Sequence, residues 1–439
     1  MKRWRHQSGM LVAAVLVSGM LLWWVVLPQL QVLLASIVPD PGRAGAADRW
    51  QHWRAVWTGT SYHRALWNSL WISVVSVVLA ALPGVSLAWL VERWRFPGRW
   101  LLILAGVAPL ALPPLVGVVG FFQLVAAPGL LPRLLSQFTG WPRSHFVLSA
   151  SSAVLLVHAY SFSVYFFAFT RAGLRTLDPA LEWAARGLGA NAWTRWRRVI
   201  LPTLAPHLLA ATLLAFMAAI GSYSAPAILG GNLDYLTVAL AADAIPWPGR
   251  AAVLAVILAG INVALLILLR LTLPNAWRGV TASKGSHLPP PACELHGMVR
   301  RLATGGAVVW LAVMALPIAV IALNALADHR AWRQAGGLWP AAFTASHLTG
   351  LWQDPGAWRP VLVSLSAAGA ATVLNLLLAL PAAWLIIRGP RKLGLGLELG
   401  AMLPLALPGT VVAFNLLASF GVPSWLNFGQ GLASTLAIL

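Results

Sequence analysis

Residues 171–206 read RAGLRTLDPALEWAARGLGANAWTRWRRVILPTLAP, and their pattern decides how the rest of the chain is read. Asp178 followed by Pro179 is a helix start. The carboxylate can accept from free amides of the first turn, and proline at the first helical position has no amide to lose. Leu181, Ala184, Ala185 and Leu188 then recur at helical spacing. Gly189 supplies the residue that can turn left-handed and close the helix. Asn191 can open a second helix, expected to stop at Pro202. Trp193, Trp196 and Ile200 fall on one side of it, with Arg195, Arg197 and Arg198 placed to reach lipid head groups. On either side, the apolar runs near 146–170 and 205–230 are each long enough to cross a bilayer. The stretch is a loop between membrane spans.

Outward from this loop the chain stays apolar. Of its 439 residues 59% are hydrophobic and 9% charged, where a soluble domain carries about 25% charged residues. A soluble globular domain and a disordered chain are both excluded, and one cysteine excludes a disulfide framework. Further spans are expected near 10–38, 65–91, 100–127, 250–271, 302–327, 360–387 and 394–420, with another beginning near 430. The first follows Lys2, Arg3 and Arg5 and precedes Ala44-Gly45-Ala46, flanks of the kind a signal peptide has. Its apolar run exceeds the roughly 7–15 residues of a signal-peptide core, so it is read as an uncleaved span. With the N-terminus inside the cell, 20 of the 30 Lys and Arg lie in segments 1–9, 92–99, 171–204, 270–301 and 388–393, all cytoplasmic. That bias follows the positive-inside rule. The net charge of +19 is spread in short runs between spans rather than gathered on a soluble face, so nucleic acid is not expected as a partner.

An offset of 295 residues aligns two parts of the chain. It pairs Trp57 with Trp352, Ser69-Leu70 with Ser364-Leu365, Ala88-Trp89-Leu90 with Ala383-Trp384-Leu385, and Arg93 with Arg388. It also pairs the pentapeptide Pro-Leu-Ala-Leu-Pro at Pro109–Pro113 with its identical copy at Pro404–Pro408. Six spans separate the copies, so both enter the membrane with the same hand. The expected fold is all-α: a polytopic helical bundle of nine or ten spans, built as two tandem six-span units with the second truncated. Residues 1–271 form the first unit, 272–300 a cytoplasmic linker with Pro289-Pro290-Pro291, and 301–439 the second, incomplete unit. Cys293 then lies in a reducing compartment as a bystander.

The loop carries a specific spacing: Ala184-Ala185, Gly189, Val199 and Leu201-Pro202. In these positions the chain resembles the inner-membrane permeases of binding-protein-dependent ABC transporters. Their motif runs Glu-Ala-Ala, three residues, Gly, nine residues, an aliphatic residue, one residue, Leu-Pro. One position departs, because Trp183 stands in the place of the glutamate and Glu182 comes one residue earlier. The segment Gly221-Ser222-Tyr223-Ser224-Ala225-Pro226-Ala227-Ile228-Leu229-Gly230-Gly231 is similar to one found in permeases of the ferric iron, thiamine and polyamine cluster. The resemblance implies a multi-pass protein of the bacterial inner membrane that imports a small solute and catalyses no bond chemistry. It implies that Asp178, Leu181, Glu182, Ala184, Ala185 and Gly189, with Val199, Leu201 and Pro202 behind them, couple to a separate ATP-hydrolysing dimer. ATP and Mg2+ would belong to that dimer, leaving this chain without a cofactor, and an extracytoplasmic solute-binding protein would deliver the cargo. A transporter driven by an ion gradient is the alternative; it would favour buried acidic residues, and no span centre holds an Asp or Glu.

No GxxxxGK[ST] motif is present, so ATP hydrolysis is not expected in this chain, and the ten His show no metal-ligand spacing. Polar residues within spans mark either a pathway or hydrogen bonds between helices. Ser222, Tyr223 and Ser224 are the leading pathway candidates, followed by His158. The two PLALP pentapeptides interrupt the helix ladder twice within five residues and are expected to kink their spans. Asp234 and Asp243 follow the fifth span on the outer side.

Overall fold

A computed structural model describes residues 14–38, 48–127, 129–272, 293–328, 340 and 342–421. The expected span near 430, the proline run of the linker and the basic N-terminus lie outside the described residues. The first part of the chain forms α1 (Ala14–Ala35), α2 (Gln51–Thr58), α3 (Thr60–Arg93), α4 (Arg99–Ala111), α5 (Pro114–Val125) and α6 (Leu130–Thr139). There follow α7 (Ala150–Thr176), α8 (Pro179–Gly187), α9 (Ala192–Ile220), α10 (Ser224–Leu229), α11 (Leu236–Asp243) and α12 (Pro248–Thr272). The remainder forms α13 (Gly297–Leu326), α14 (Ser346–Gln353), α15 (Pro355–Arg388), α16 (Arg391–Ala406) and α17 (Gly409–Leu416). Among the described residues the only ladder joins two short strands in parallel, β1 (Trp94–Arg95) and β2 (Cys293–Glu294). Among the described residues eight segments are long and apolar enough to cross a membrane: α1, α3, α7, α9, α12, α13 and α15, and the stretch Pro114–Thr139 that takes in α5 and α6.

The 295-residue offset recurs in the helix bounds. It carries Gln51–Thr58 onto Ser346–Gln353 and Thr60–Arg93 onto Pro355–Arg388, end to end. The pentapeptides repeat in conformation as well. Pro109 and Pro404 each sit inside a helix, and both helices end at the following leucine, Leu112 (φ −91°, ψ 126°) and Leu407 (φ −105°, ψ 141°). Pro113 and Pro408 then adopt nearly the same extended geometry, with a new helix starting one residue later. The reason is local: a residue before proline is pushed out of helical space, and proline is welcome next to a helix start. The runs 100–127 and 394–420 are therefore each two helices rather than one continuous span. Further differences lie outside the pentapeptides. The run 205–230 ends at Ile220 and restarts at Ser224, and the segment 128–145 contains α6.

By packing, the described residues fall into two compact units that are discontinuous along the chain. One gathers residues from Ala65–Tyr235 and Ala264–Thr344, the other from Met1–Arg64, Leu236–Val263 and Ala345–Leu439. Within the first, α13 lies on α4 and α5: the Tyr160 hydroxyl of α7 donates to the Met314 carbonyl at 2.9 Å, and the Asn324 amide donates to Gln123 Oε1 at 3.1 Å. Within the second, α1 packs on α16 and α17, with Val17 against Leu385 and Leu397, and Asn415 donating to Gln29.

Lipid tails are as apolar as leucine, so helices in a membrane associate through close packing and hydrogen bonds rather than through hydrophobic transfer. The α3–α7–α9 core of the first unit shows this. Ala80, Phe166, Ala211 and Ala215 are buried together. At Gly84 the backbones approach so closely that an added Cβ would stand 2.7 Å from Phe166 Cβ and 3.0 Å from the Phe167 nitrogen.

Candidate functional site

The loop between α7 and α9 holds α8, a helix closed at both ends by its own residues. Asp178 caps it, accepting from the Ala180 amide at 2.9 Å, and Pro179 occupies the first turn. At the other end the Gly189 amide donates to the Arg186 carbonyl at 2.9 Å and the Ala190 amide to the Ala185 carbonyl at 3.0 Å. These are the paired bonds of a Schellman motif, which needs a left-handed residue; Gly189 supplies it at φ +77°. Both caps are thus made within residues 178–190, so the ends of this short helix are closed by the loop itself.

One face of α8 turns outward and one inward. Leu181, Trp183, Ala184 and Leu188 are exposed, Leu188 to 89%. Pro179 and Glu182 are buried, Glu182 to 7% exposure, while Ala185 is half-buried. The Glu182 carboxylate accepts from Arg93, the last residue of α3. Glu182 is therefore part of the loop's attachment and not of its exposed face. The adjacent residue Glu92, 5% exposed, accepts from Nε of Arg171 and, at 3.1 Å, from Nε of Arg175, both in α7; Arg99 lies 3.7 Å away. Beneath the loop Leu174, Leu177, Ile200 and Leu204 form an apolar base against Trp89, whose ring carries the Arg93 guanidinium at 4.8 Å.

Asn191 opens α9 as expected, its side chain accepting from the Thr194 amide at 2.8 Å. Pro202 does not stop this helix, contrary to the expectation from proline's missing amide. The turn Trp196–Ile200 widens to π geometry, with the Leu201 amide donating back to the Trp196 carbonyl. The Thr203 hydroxyl donates to the Val199 carbonyl at 2.7 Å. Proline's conflict with the preceding turn is absorbed by that local widening, and the helix continues. Val199, Leu201 and Pro202 accordingly belong to the start of a membrane helix rather than to the exposed face of α8. Trp193 and Trp196 stack at 5.3 Å and 15°, while Ile200 is buried in the base.

The pathway candidates lie elsewhere. Ser222 and Tyr223 lie in the break between α9 and α10 and Ser224 opens α10, separated from Asn191 by roughly 40 Å of helix. Tyr223 is exposed and Ser222 and Ser224 are half-buried. The segment is tied to α3: the Asn68 amide donates to the Asp234 carbonyl at 3.0 Å, and the buried Tyr235 hydroxyl donates to the Ala219 carbonyl at 2.8 Å with Ser73 Oγ at 3.4 Å. Burial pushes the Tyr235 phenol pKa upward. His158 is 1% exposed, its Nδ1 2.9 Å from Ser76 Oγ and its ring beside Phe162, which places it in the α3–α7 core. The Arg93 and Glu92 attachments were not anticipated from sequence. Their signal was present in two adjacent charges, one of them a rare acidic residue, ending an apolar run.

The family of binding-protein-dependent transport system inner membrane components matches residues 55–278, more than half of the chain, and the chain belongs to that family. It is a multi-pass membrane permease. Over 405 residues it is 26% identical to a probable ABC transporter permease protein of Sinorhizobium fredii, covering 91% of this chain and 70% of that one. Over 371 residues it is 29% identical to a thiamine transport system permease protein of Salmonella typhimurium, covering 82% of this chain; it spans 64% of that relative's length. Among solved structures, a bacterial ABC transporter involved in the import of the acidic polysaccharide alginate superposes with a TM-score of 0.48 at 14% identity, over 63% of this chain and 99% of that one.

Proposed function

We propose that this chain is the pathway-forming permease of an ATP-driven importer and that α8 is where a separate ATP-hydrolysing subunit engages it. The observation that carries the reading is the two-faced α8: self-capped, anchored inward through Glu182, and offering Leu181, Trp183, Ala184 and Leu188 outward. A rigid helix with an uncovered apolar ridge and small residues between suits a groove on a partner. The positive-inside bias supports a cytoplasmic location for this face and for the N-terminus, on the side where ATP is available. ATP and Mg2+ would be bound by the partner as a dimer, since this chain carries no phosphate-cradling GxxxxGK[ST] loop. A solute-binding protein on the opposite side would deliver a small solute, and Ser222, Tyr223 and Ser224 are the residues we assign to its path.

Two variants test the docking role. Leu188→Glu alters only an exposed side chain, and Gly189→Arg strains the closing turn. Both are expected to insert into the membrane normally while capture of the ATP-hydrolysing subunit weakens by roughly 30-fold, the effect of losing a central interface anchor. Unchanged capture by Leu188→Glu would remove α8 from the interface.

A further inference from the structure

We infer that the Glu182–Arg93 pair is the rigid link through which α8 moves α3, making both positioning residues for coupling; the inference rests on the function proposed above. Glu182 is the one acidic residue of α8, and it faces inward. Its side chain and that of Arg93 are 9% and 11% exposed. Separating two opposite charges in such surroundings strands each of them, so displacement of one helix draws the other along. The apolar contacts beneath the loop lack direction and allow sliding, whereas a charge-assisted hydrogen bond fixes register.

Arg93 is itself held, with its guanidinium over Trp89, and the preceding Glu92 ties the same helix end to Arg171 and Arg175 of α7. From there α3 runs as one helix to Asn68 and Ser73, which bond the segment around Asp234 and Tyr235. About 38 Å of helix thus joins the docking loop to the segment that follows Ser222–Ser224. The same single element contacts the docking loop at one end and Asp234 and Tyr235 at the other.

The repeat adds an independent observation. Trp89 and Arg93 recur as Trp384 and Arg388 at the corresponding end of α15, whereas Glu92 is replaced by Ile387. The Trp–Arg pair is thus common to both copies at a fixed register, while the neighbouring carboxylate, which only braces α3 to α7, is not.

The test uses the full chain in nanodiscs with Cys293→Ser, spin labels at Leu188→Cys and Leu82→Cys, and Glu182→Gln, Arg93→Glu and the exchange Glu182→Arg/Arg93→Glu. In the chain alone the label-to-label distance distribution is expected to be narrow, to broaden in each single variant, and to narrow again in the exchange. With the ATP-hydrolysing subunit added to unlabelled chains that keep Leu188 and Leu82, Glu182→Gln is expected to retain capture within about twofold while stimulation of hydrolysis by the assembled complex falls roughly tenfold; the exchange restores it. A Glu182→Gln chain with wild-type distances and wild-type stimulation would overturn the link, as would an exchange no better than the single variants. Failure of the wild-type chain to capture any such subunit would instead overturn the proposed function, with the distance measurement still deciding the link.

Discussion

Replacing Gly84 by leucine is expected to abolish accumulation of folded protein in the membrane. Gly84 is where α3 and α7 meet backbone to backbone, and a Cβ there is already 2.7 Å from Phe166 Cβ. Neither neighbour can rotate away as a long side chain could, because the atoms met are a Cβ and main chain. Adding a single methyl group, as in Gly84→Ala, is expected to cost about 1–3 kcal/mol through forced backbone shifts. A leucine has no room at all and must part the helices, uncovering the Ala80–Phe166–Ala211–Ala215 cluster and the Ser76–His158 contact. The position has a built-in control. Its partner at the 295-residue offset is Ala379 in α15, which is exposed, so Ala379→Leu is expected to be nearly silent. Detergent-solubilised yield and thermal melting of the two variants should diverge; equal behaviour would mean that the α3–α7 crossing is looser than the structure shows.

The second large effect is expected at Glu92. One buried carboxylate faces three guanidinium groups, from Arg171, Arg175 and Arg99. Glu92→Ala leaves these cations facing one another with no compensating anion, and breaking a buried pair from one side costs about 3–5 kcal/mol. Arg175 is more than half exposed at its side chain and can swing into water, which moves the expectation to the lower end of that range. Arg171 is largely enclosed and cannot. The double variant Glu92→Leu/Arg171→Leu should therefore recover part of the loss, because an apolar pair replaces an orphaned charge. A Glu92→Ala protein as heat-resistant as the wild type would show that the cluster is solvated in the membrane-embedded protein.

Much of this architecture is legible from local rules. Spans announce themselves by run length, and α8 by Asp178-Pro179 at one end and Gly189 at the other, because caps are decided by residues within one or two turns. The PLALP breaks follow from proline's effect on its predecessor. What escaped sequence reasoning depends on distant partners. Whether Glu182 faces a partner protein or its own chain is decided by Arg93, 89 residues away. That His158 meets Ser76 across the α3–α7 contact likewise depends on a residue 82 positions distant. Pro202 misled for a different reason. The rule that proline ends helices holds for uniform α geometry, and a turn of another pitch lies just ahead of it.

That widened turn at Trp196–Ile200 has a consequence for how the chain tolerates change. A π turn accommodates one residue beyond the α repeat, so it acts as a phase spacer: the azimuth of everything after Leu201 is offset by about 100° from what an unbroken α-helix would give. Leu204, in the first turns after it, is buried with Leu174, Leu177 and Ile200. Substitutions within 196–200 leave the phase intact, but loss of any single residue there would reset it and aim the whole following span along the wrong compass bearing, even though every remaining side chain were correct.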